Sequence, residues 1–246
     1  MDINVNKFFD KQLKLKNFSE RQLDQLLSSK VLFIGMGGLG NPAAVYLLSV
    51  GIGCLTFADF DKVEFHNLHR QFLFNDDDIG SSKAVTAANS LQPNYPHAAI
   101  SVLDSRMDER QLFEQVKDYD LVMDCSDNFE TRYIVNDVCI EANIPLVSGS
   151  ASEEVGQVIS FQNSTTSPCY ECLFPRKQFL AEESCDRLGI MTPVLGVIGS
   201  MMALTAVNLL LNPQTSISTL TKIDSGTMKI TQSTLQKDIH CEACSI

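Results

Sequence analysis

Short apolar runs rich in β-branched residues alternate along the chain with longer segments of helical spacing. The first run, Val31 to Gly35, stops at a glycine, and a helical segment from about Leu39 to Val50 separates it from a second run, Cys54 to Asp59. This order of strand, glycine turn, helix and strand predicts one βαβ unit. In the polar stretch before it, Ser19 and Gln22 have the spacing of a capping box and predict a short helix.

The alternation continues as far as residue 150 and then changes. Further strands are predicted at Ala98 to Leu103, Asp120 to Asp124 and Pro145 to Gly149. The helices between them are predicted to begin at Ser81 or Ser82 and at Asp108, and to span Phe129 to Ala142. Repeated βα units predict a mostly parallel sheet with helices on both faces. Strands outside this rhythm are predicted at Glu154 to Phe161, Thr219 to Ile223 and Met228 to Thr231.

We therefore expect an α/β fold of the Rossmann-like, doubly wound type, with antiparallel strands added after the parallel part. No repeat or low-complexity linker divides the chain, so the expectation is one domain over residues 1–246. It comprises an N-terminal helical arm (1–30), an α/β core (31–150) and a C-terminal part (151–246).

Composition narrows the class of protein. The formal net charge is −11, which argues against a nucleic-acid partner. Residues Met1 to Lys16 are polar where a signal peptide needs an apolar core, so we expect a cytoplasmic protein. Residues Pro193 to Leu211 are nearly uncharged and approach the length of a membrane span. Their small and polar residues, without close basic flanks, favour a fully buried core helix at an interface and no membrane.

A glycine-rich turn is the first candidate site. Gly35, Gly37, Gly38 and Gly40 match the pattern G-x-G-x-x-G directly after a strand and at the start of a helix. Such a turn lets backbone N–H groups approach a phosphate at the positive end of the helix. Asp59 ends the next strand, where an acid commonly holds the ribose hydroxyls. The pattern predicts nucleotide binding; a packing turn is the alternative.

A polar set downstream of Asp59 distinguishes ATP from NAD. Its members are Asp61, Asn67, Arg70, Gln71 and Lys83. Several donors with two fixed cations suit a triphosphate, whose charge must be neutralised during transfer at the α-phosphorus. The pyrophosphate of NAD does not need them, and no clear His–Asp or Tyr–Lys pair stands beside the glycine turn. An NAD-dependent oxidoreductase is therefore the weaker interpretation. The alternative for Arg70 and Lys83 themselves is that they are ordinary surface cations.

A second acidic cluster follows the strand at Asp120 to Asp124. Asp124, Asp127 and Asn128 lie at its carboxyl end, the edge at which ligands bind in doubly wound sheets. A carboxylate there can hold Mg²⁺ between phosphates. The competing reading is that one of these residues caps the helix beginning near Phe129.

Two CxxC pairs predict a structural zinc site. Their cysteines are Cys169, Cys172, Cys241 and Cys244. Four thiolates form a closed tetrahedral site with no open position for chemistry. Two separate redox pairs, or His240 in place of one thiolate, are the alternatives. Three other cysteines, Cys54, Cys125 and Cys139, fall on predicted strands or helices and read as small core residues.

With these residues in place, the sequence resembles the ThiF/MoeB/HesA family, the prokaryotic relatives of ubiquitin-activating enzymes. The match runs from Phe9 to Cys244 and includes GMGGLG, ADFD, NLHRQ, GSSK, DCSDN, both CxxC pairs and GIMTPVLGVIGS. The resemblance implies ATP-dependent adenylation of the C-terminal glycine carboxylate of a ubiquitin-like sulfur carrier ending in Gly-Gly. The products would be an acyl-adenylate and pyrophosphate.

The resemblance also implies roles for individual residues. Asp59 would hold the ribose, Asn67, Arg70 and Lys83 would contact the phosphates, and Asp127 would bind Mg²⁺. The apolar helix near Leu195 to Leu211 would line a homodimer interface. A cysteine desulfurase or another sulfur donor is a further implied partner.

One departure from the family concerns the N-terminal arm. The family usually has an arginine there, in a Tyr-x-Arg-Gln pattern, that reaches the ATP of the other subunit. Here the segment is Phe9-Asp-Lys11-Gln12. Lys11 keeps the positive charge but lacks the bidentate fork of arginine. It is either the substitute for the family's arginine or a solvated surface lysine. A protein that binds nucleotide but has lost the chemistry is a further interpretation.

The identity of the carrier and the role of Cys185 are the remaining expectations. Three segments look closer to the thiamine-thiazole enzyme ThiF than to the molybdopterin enzyme: Asn41 to Tyr46, Leu73 to Ile79 and Cys172 to Pro175. They favour ThiS over MoaD as the carrier. In thiamine-type members the cysteine matching Cys185 joins the carrier's C-terminus through sulfur; Arg187 would lower its pKa and the flanking acids would raise it. A spectator thiol is the other reading.

Overall fold

An eight-stranded sheet forms the centre of the computed structural model, which describes residues 5–179, 189–213 and 217–245. The strands are β1 (Lys30–Ile34), β2 (Cys54–Ala58), β3 (Ala99–Leu103), β4 (Leu121–Asp124), β5 (Leu146–Ser152), β6 (Val155–Phe161), β7 (Thr219–Asp224) and β8 (Lys229–Thr234). Their spatial order is β3-β2-β1-β4-β5-β6-β7-β8. Because β1 has β2 on one side and β4 on the other, the switch point of the sheet lies between β1 and β4.

Strand direction divides the sheet into two parts. Strands β1 to β5 pair in parallel, and β5 to β8 pair antiparallel. The predicted doubly wound sheet with antiparallel C-terminal additions is therefore confirmed. In the register, Ile34 lies opposite both Ala58 and Asp124. The carboxyl ends of β1, β2 and β4 consequently meet at one edge.

The helices in the described residues are α1 (Val5–Phe8), α2 (Asp10–Leu13), α3 (Glu20–Ser28), α4 (Gly40–Val50), α5 (Lys83–Leu91), α6 (Glu109–Val116), α7 (Phe129–Ala142), α8 (Tyr170–Leu173), α9 (Arg176–Phe179) and α10 (Thr192–Leu211). Most predicted starts are confirmed by side-chain caps: Ser19 with its Gln22 box, Ser82 and Asp108. Each accepts a backbone N–H that the helix itself leaves unpaired. The short helices α8 and α9 carry no periodic signal and were not predicted.

Both faces of the sheet are covered, as the βα rhythm predicts. Along β1, Val31 and Phe33 join the core formed with α4, α5 and α10, whereas Leu32 and Ile34 join the core formed with α6 and α7. Alternate side chains of one strand thus serve two cores because successive residues point to opposite faces.

Helix α10 is the one described helix that is long and apolar enough to cross a membrane by length and composition. In the structure it packs on α4, β5 and β6, with Ile198 and Met202 fully buried. Val197 and Leu204 on its other side are 46% and 65% exposed. The predicted core helix is therefore confirmed on one side only. The prediction of full burial is not met within this chain, because the other side presents apolar side chains at the surface.

The N-terminal arm docks at the far end of α4. The Gln12 side chain donates to the Val50 carbonyl at 2.8 Å, and Phe9 is buried with its ring 5.2 Å from that of His97. Desolvation lowers the pKa of His97, which keeps this contact neutral and apolar. These contacts fix the arm at the end of α4 opposite to the glycine-rich turn.

Candidate functional site

The glycine-rich turn connects β1 to α4 at the carboxyl edge of the sheet. Gly35 has φ 95°, a conformation that side chains disfavour, and a Cβ there would lie 3.0 Å from the Cys125 carbonyl oxygen. At Gly40 a Cβ would lie 2.4 Å from the Gly35 carbonyl oxygen. Neither position tolerates a side chain. Because both residues are glycines, the backbone can approach a ligand closely at the start of α4.

Asp59 ties the end of β2 to this turn. Its Oδ2 accepts from the Met36 N–H at 2.7 Å and its Oδ1 from the Asp61 N–H at 2.8 Å. Burial raises the pKa of the Asp59 carboxyl, while these two backbone donors and the nearby Lys83 ammonium oppose the shift. The acid predicted at this position is therefore in contact with the glycine turn.

Lys83 lies beside the same crevice as one half of an ion pair. Its Nζ is 2.8 Å from Asp61 Oδ2, and its side chain is 10% exposed. The backbone pairs as well, since the Lys83 N–H donates to the Asp61 carbonyl at 3.0 Å. Asp61 thus pairs with the nearly buried ammonium of Lys83, the residue predicted to contact the phosphates.

The remaining members of the predicted polar set lie on the segment after β2. Asn67 is buried and accepts the Glu64 N–H, closing a turn of 3₁₀ helix. Arg70 donates to the His66 carbonyl at 2.6 Å. Gln71 is 3% exposed, and its Oε1 has no hydrogen-bond partner among the residues that the structure describes. Its Nε2 lies 3.7 Å from where a Gly37 Cβ would stand. An orphaned amide beside the glycine turn is the kind of group that a bound polar ligand completes.

The loop after β4 resolves the question of which residue caps α7. Asn128 is the cap, accepting the Thr131 N–H at 2.8 Å. Asp124 is 1% exposed and fully engaged by protein donors, so it is neither cap nor free metal ligand. Asp127 is exposed, and its Oδ1 lies 3.4 Å from the Asn128 amide nitrogen. Of the two acids, Asp127 alone presents a carboxylate that suits Mg²⁺, which binds through one or two carboxylates and keeps several waters.

Sequence reasoning missed two residues of this edge. Arg132 on α7 and Ser148 on β5 both bind Asp124, at 3.7 Å from Arg132 Nη1 and 2.7 Å from Ser148 Oγ. Arg132 is 7% exposed. The available signal is an arginine in the first turn of the helix that follows the acid at the end of β4, but only the fold shows that β5 completes the group.

The four predicted zinc ligands converge. All four Sγ atoms lie within 4.8 Å of one another, and the pairs Cys169–Cys172, Cys169–Cys241 and Cys172–Cys244 are 3.9, 3.6 and 3.5 Å apart. Thiolates placed tetrahedrally around zinc at about 2.3 Å are about 3.8 Å apart, so the donor set fits. A hydrogen bond with Cys169 lowers the pKa of the Cys172 thiol to about 5. Two separate redox pairs do not fit this convergence, and His240 is exposed outside the cluster.

A groove of about 1030 Å³ lies beside this cluster rather than at the glycine turn. It borders Cys169, Cys244 and the C-terminal half of α7, whereas Asn128 and the nucleotide edge lie at the N-terminus of α7. Cavity size therefore does not locate the candidate nucleotide site.

Among the described residues, one predicted site residue, Lys11, is not brought to this edge. Lys11 is exposed on α2, in the arm docked at the opposite end of α4. Cys185 and Arg187 lie outside the described residues. The three other expected core cysteines agree in part: Cys125 and Cys139 are buried, whereas Cys54 is half-buried.

These features define a class of protein: a nucleotide-binding α/β fold with a four-cysteine cluster that pins its C-terminal segment. Residues 9–244 match the model of the ThiF family, and the chain belongs to that family.

Named relatives include two bacterial enzymes of nearly the same length. The chain is 35% identical to the molybdopterin-synthase adenylyltransferase of Escherichia coli K12, over 96% of this chain and 95% of that protein. It is also 35% identical to the sulfur carrier protein ThiS adenylyltransferase of the same organism, over 96% and 94%. The adenylyltransferase and sulfurtransferase MOCS3 of Caenorhabditis briggsae is 36% identical, and the chain spans 52% of its length.

Solved structures agree on the fold. MccB from E. coli with MccA-N7isoASN superposes with a TM-score of 0.82 at 21% identity, covering 100% of this chain and 76% of that one. MccB with ATP superposes with a TM-score of 0.77 at 25% identity, covering 91% and 68%.

Proposed function

We propose that this protein uses ATP to adenylate the C-terminal glycine carboxylate of a ubiquitin-like sulfur carrier. The observation that carries the proposal is the meeting of the glycine turn, Asp59 and the Lys83–Asp61 pair at one edge of the sheet, in a chain whose named relatives are adenylyltransferases. An NAD-dependent oxidoreductase does not account for that combination.

The chemistry needs alignment rather than a protein nucleophile. A carrier carboxylate, already ionised at neutral pH, attacks the α-phosphorus of ATP, and the bond to the β-phosphate breaks to release pyrophosphate. We assign the ribose to Asp59 and the phosphates to the turn, Asn67, Arg70 and Lys83. Gln71 supplies a further polar contact. Fixed charges and positioning would provide the rate enhancement.

Metal ions take two separate places in the proposal. The exposed Asp127 carboxylate would hold Mg²⁺, which would supply positive charge to neutralise the phosphates, and Asn128 caps α7 beside it. Zn²⁺ would occupy the four-cysteine cluster and hold the C-terminal segment against α8. The first ion serves the reaction and the second serves the fold.

A homodimer is part of the proposal because the arm is remote from its own crevice. Helix α4 has 11 residues and so separates its two ends by about 16 Å. Lys11 lies at one end and the glycine turn at the other. We propose that Lys11 reaches the phosphates of a second subunit, with the exposed side of α10 at the interface.

For the carrier itself we propose ThiS, with MoaD as the alternative. The support is the resemblance of Asn41 to Tyr46, Leu73 to Ile79 and Cys172 to Pro175 to the thiamine enzyme. The relatives named for the two pathways are equally similar. Asn41 binds the Met36 carbonyl and accepts from the Leu73 N–H, so two of these segments support the glycine turn rather than a carrier surface.

Isotope exchange between pyrophosphate and ATP tests the proposal. With Mg²⁺ and purified ThiS or MoaD, exchange is expected with one carrier, ThiS first, and not with the same carrier lacking its terminal glycine. Asp127→Asn should reduce the exchange strongly while preserving the fold. Absence of exchange with either carrier, from a folded protein that binds ATP, would remove the sulfur-carrier assignment.

Cys185 belongs to a later step in the proposal. In that step a persulfide of the desulfurase or another donor would pass its outer sulfur to the Cys185 thiol, releasing the donor thiol. The Cys185 persulfide would then attack the carrier acyl-adenylate and release AMP. Cys185→Ser should therefore retain pyrophosphate exchange and lose sulfur transfer to the carrier. Cys54→Ser is the matched control and should retain both. Full sulfur transfer by Cys185→Ser would identify Cys185 as a spectator.

A further inference from the structure

A buried ion pair lies beneath the loop that carries Asp127. Arg132 Nη1 is 3.7 Å from Asp124 Oδ2, and the two side chains are 7% and 1% exposed. Removing both charges from water is costly, and an apolar replacement of similar volume is often neutral or stabilising. Stability alone is therefore a weak reason for this pair.

The guanidinium of Arg132 joins two stretches of backbone. Its Nη2 donates to the Ser126 carbonyl in the loop and, at 2.9 Å, to the Gly149 carbonyl on β5. Its Nη1 donates to Ser148 Oγ at 3.1 Å, and that hydroxyl donates to Asp124 Oδ2 at 2.7 Å. The planar fork of arginine makes these contacts at once, which a lysine ammonium cannot reproduce with the same geometry.

Asp124 holds the same loop from the other side. Its Oδ1 accepts both from the Ser126 N–H at 3.1 Å and from Ser126 Oγ at 2.6 Å. Ser126 is thus fixed through its N–H and hydroxyl by Asp124 and through its carbonyl by Arg132. The residue immediately before Asp127 has little freedom to move.

Asp127 depends on this support. Its carboxylate is exposed, and the 3.4 Å contact from the Asn128 amide is too long to fix its direction. The place from which the carboxylate can reach a ligand is therefore set by the backbone that carries its Cα–Cβ bond. The Arg132 guanidinium also opposes the rise that burial causes in the pKa of Tyr170, on the cysteine-bearing helix α8.

We propose that Arg132, with Asp124 and Ser148, is the positioning group that aims Asp127 at the metal–phosphate position. The proposal deepens the proposed function and rests on Mg·ATP binding at this edge. Arg132 itself contacts protein rather than the reacting atoms. Disturbing its contacts should therefore weaken the binding that depends on metal and spare the contacts made by the ribose and the α-phosphate.

Calorimetric titration of the full chain with Mg·ATP, and with AMP in the presence of EDTA, separates these effects. For Arg132→Lys we expect Mg·ATP affinity to fall about 10- to 100-fold, the usual range when a residue supporting a metal ligand is changed. AMP affinity should stay near the wild-type value. Ser148→Ala removes one bridge, leaves the charges in place and should give a smaller loss in the same direction.

Arg176→Lys is the matched control. Arg176 pairs with Asp137 at 2.6 Å on the distal half of α7, so its change disturbs the same helix without touching the loop. Both affinities should be unchanged in this variant. If Arg132→Lys does not fold, Ser148→Ala decides.

Two results would overturn the proposal: unchanged Mg·ATP affinity in the folded variants, or equal losses for Mg·ATP and AMP, which indicate a merely structural role. A wild-type protein that binds Mg·ATP but shows no carrier-dependent exchange would sink the proposed adenylation and leave this positioning role standing. A wild-type protein that binds neither nucleotide would end both.

Discussion

At the scale of single residues, Asp59 shows how one carboxylate serves fold and site together. Its two oxygens accept backbone N–H groups from the glycine turn and from the start of the next segment. Burial nevertheless raises its pKa, so the charge is held where water is scarce. Each carboxylate oxygen has further lone pairs, and a ribose hydroxyl is the donor that the site would add.

Replacing Asp59 by asparagine tests this assignment. Hydrogen bonds to a charged group contribute about 1.5–3 kcal/mol, so Asp59→Asn should weaken ATP binding about 10- to 100-fold. Binding of 2′,3′-dideoxy-ATP should be weak in the wild type and little changed by the substitution, because its sugar lacks the hydroxyls. Calorimetry with both nucleotides measures the difference. Equal losses for the two nucleotides would show that Asp59 only shapes the turn.

Sequence reasoning reached some of these residues and not others for a physical reason. Asp59 and Lys83 follow local signals, the end of a strand and the start of a helix, and both lie where they were predicted. The roles of Asp124 and Asp127 could not be separated in sequence, because burial decides them. That burial comes from Arg132 and Ser148, which only folding brings to Asp124.

At the scale of elements, the packing of α4 on α10 fixes the glycine turn from behind. A Cβ at Gly199 would lie 2.4 Å from Pro42 Cγ and 2.9 Å from the Leu39 carbonyl oxygen. A Cβ at Gly196, one turn earlier on α10, meets no atom of the described residues within 4 Å. The sequence predicted this helix within one residue of its start, but its apolar residues do not show which side α4 occupies.

These two glycines give a matched pair of substitutions. Gly199→Ala should lower the free energy of unfolding by about 1–3 kcal/mol, since Pro42 and the backbone of Leu39 cannot easily move. Gly196→Ala should raise it by up to about 1 kcal/mol, because alanine favours the helix and finds open space. Urea unfolding measures both. A loss of stability in Gly196→Ala would show that the exposed side of α10 is covered in solution.

The four-cysteine cluster holds the C-terminal segment against α8. Cys241→Ser should reduce the bound zinc from about one ion per chain to well below it, and lower Tm by about 10 °C, since a structural zinc site contributes several kcal/mol. Cys54→Ser changes a half-buried cysteine outside the cluster and should alter neither quantity. Elemental analysis and thermal melting provide the two measurements. A Cys241→Ser protein with full zinc would disprove the four-cysteine assignment.

At the scale of the whole molecule, the proposed reaction requires the crevice and Lys11 together, but they lie apart within one chain. The crevice lies at the N-terminal end of α4, and the arm with Lys11 is held at the other end by Gln12 and Phe9. Burial of Phe9 makes release of the arm unfavourable, so motion within one chain is a poor way to deliver Lys11. A second copy, with its own arm, is the simpler source of the charge.

A mixed dimer tests this arrangement directly. Chains carrying Lys11→Ala and chains carrying Asp127→Ala are co-expressed with different tags, and the heterodimer is purified through both. Each mutant homodimer should lose about 10²-fold or more of the pyrophosphate exchange, because every site lacks one charged group. In the heterodimer, the site with an intact Asp127 faces the intact Lys11 of its partner, so about half of the wild-type exchange should return. If Lys11 acts within its own chain, both sites of the heterodimer are broken and no exchange returns.

The Lys11→Arg variant restores the bidentate fork and should match or exceed the wild-type rate in the same assay. Full activity of the Lys11→Ala homodimer would instead show that Lys11 is only a surface lysine.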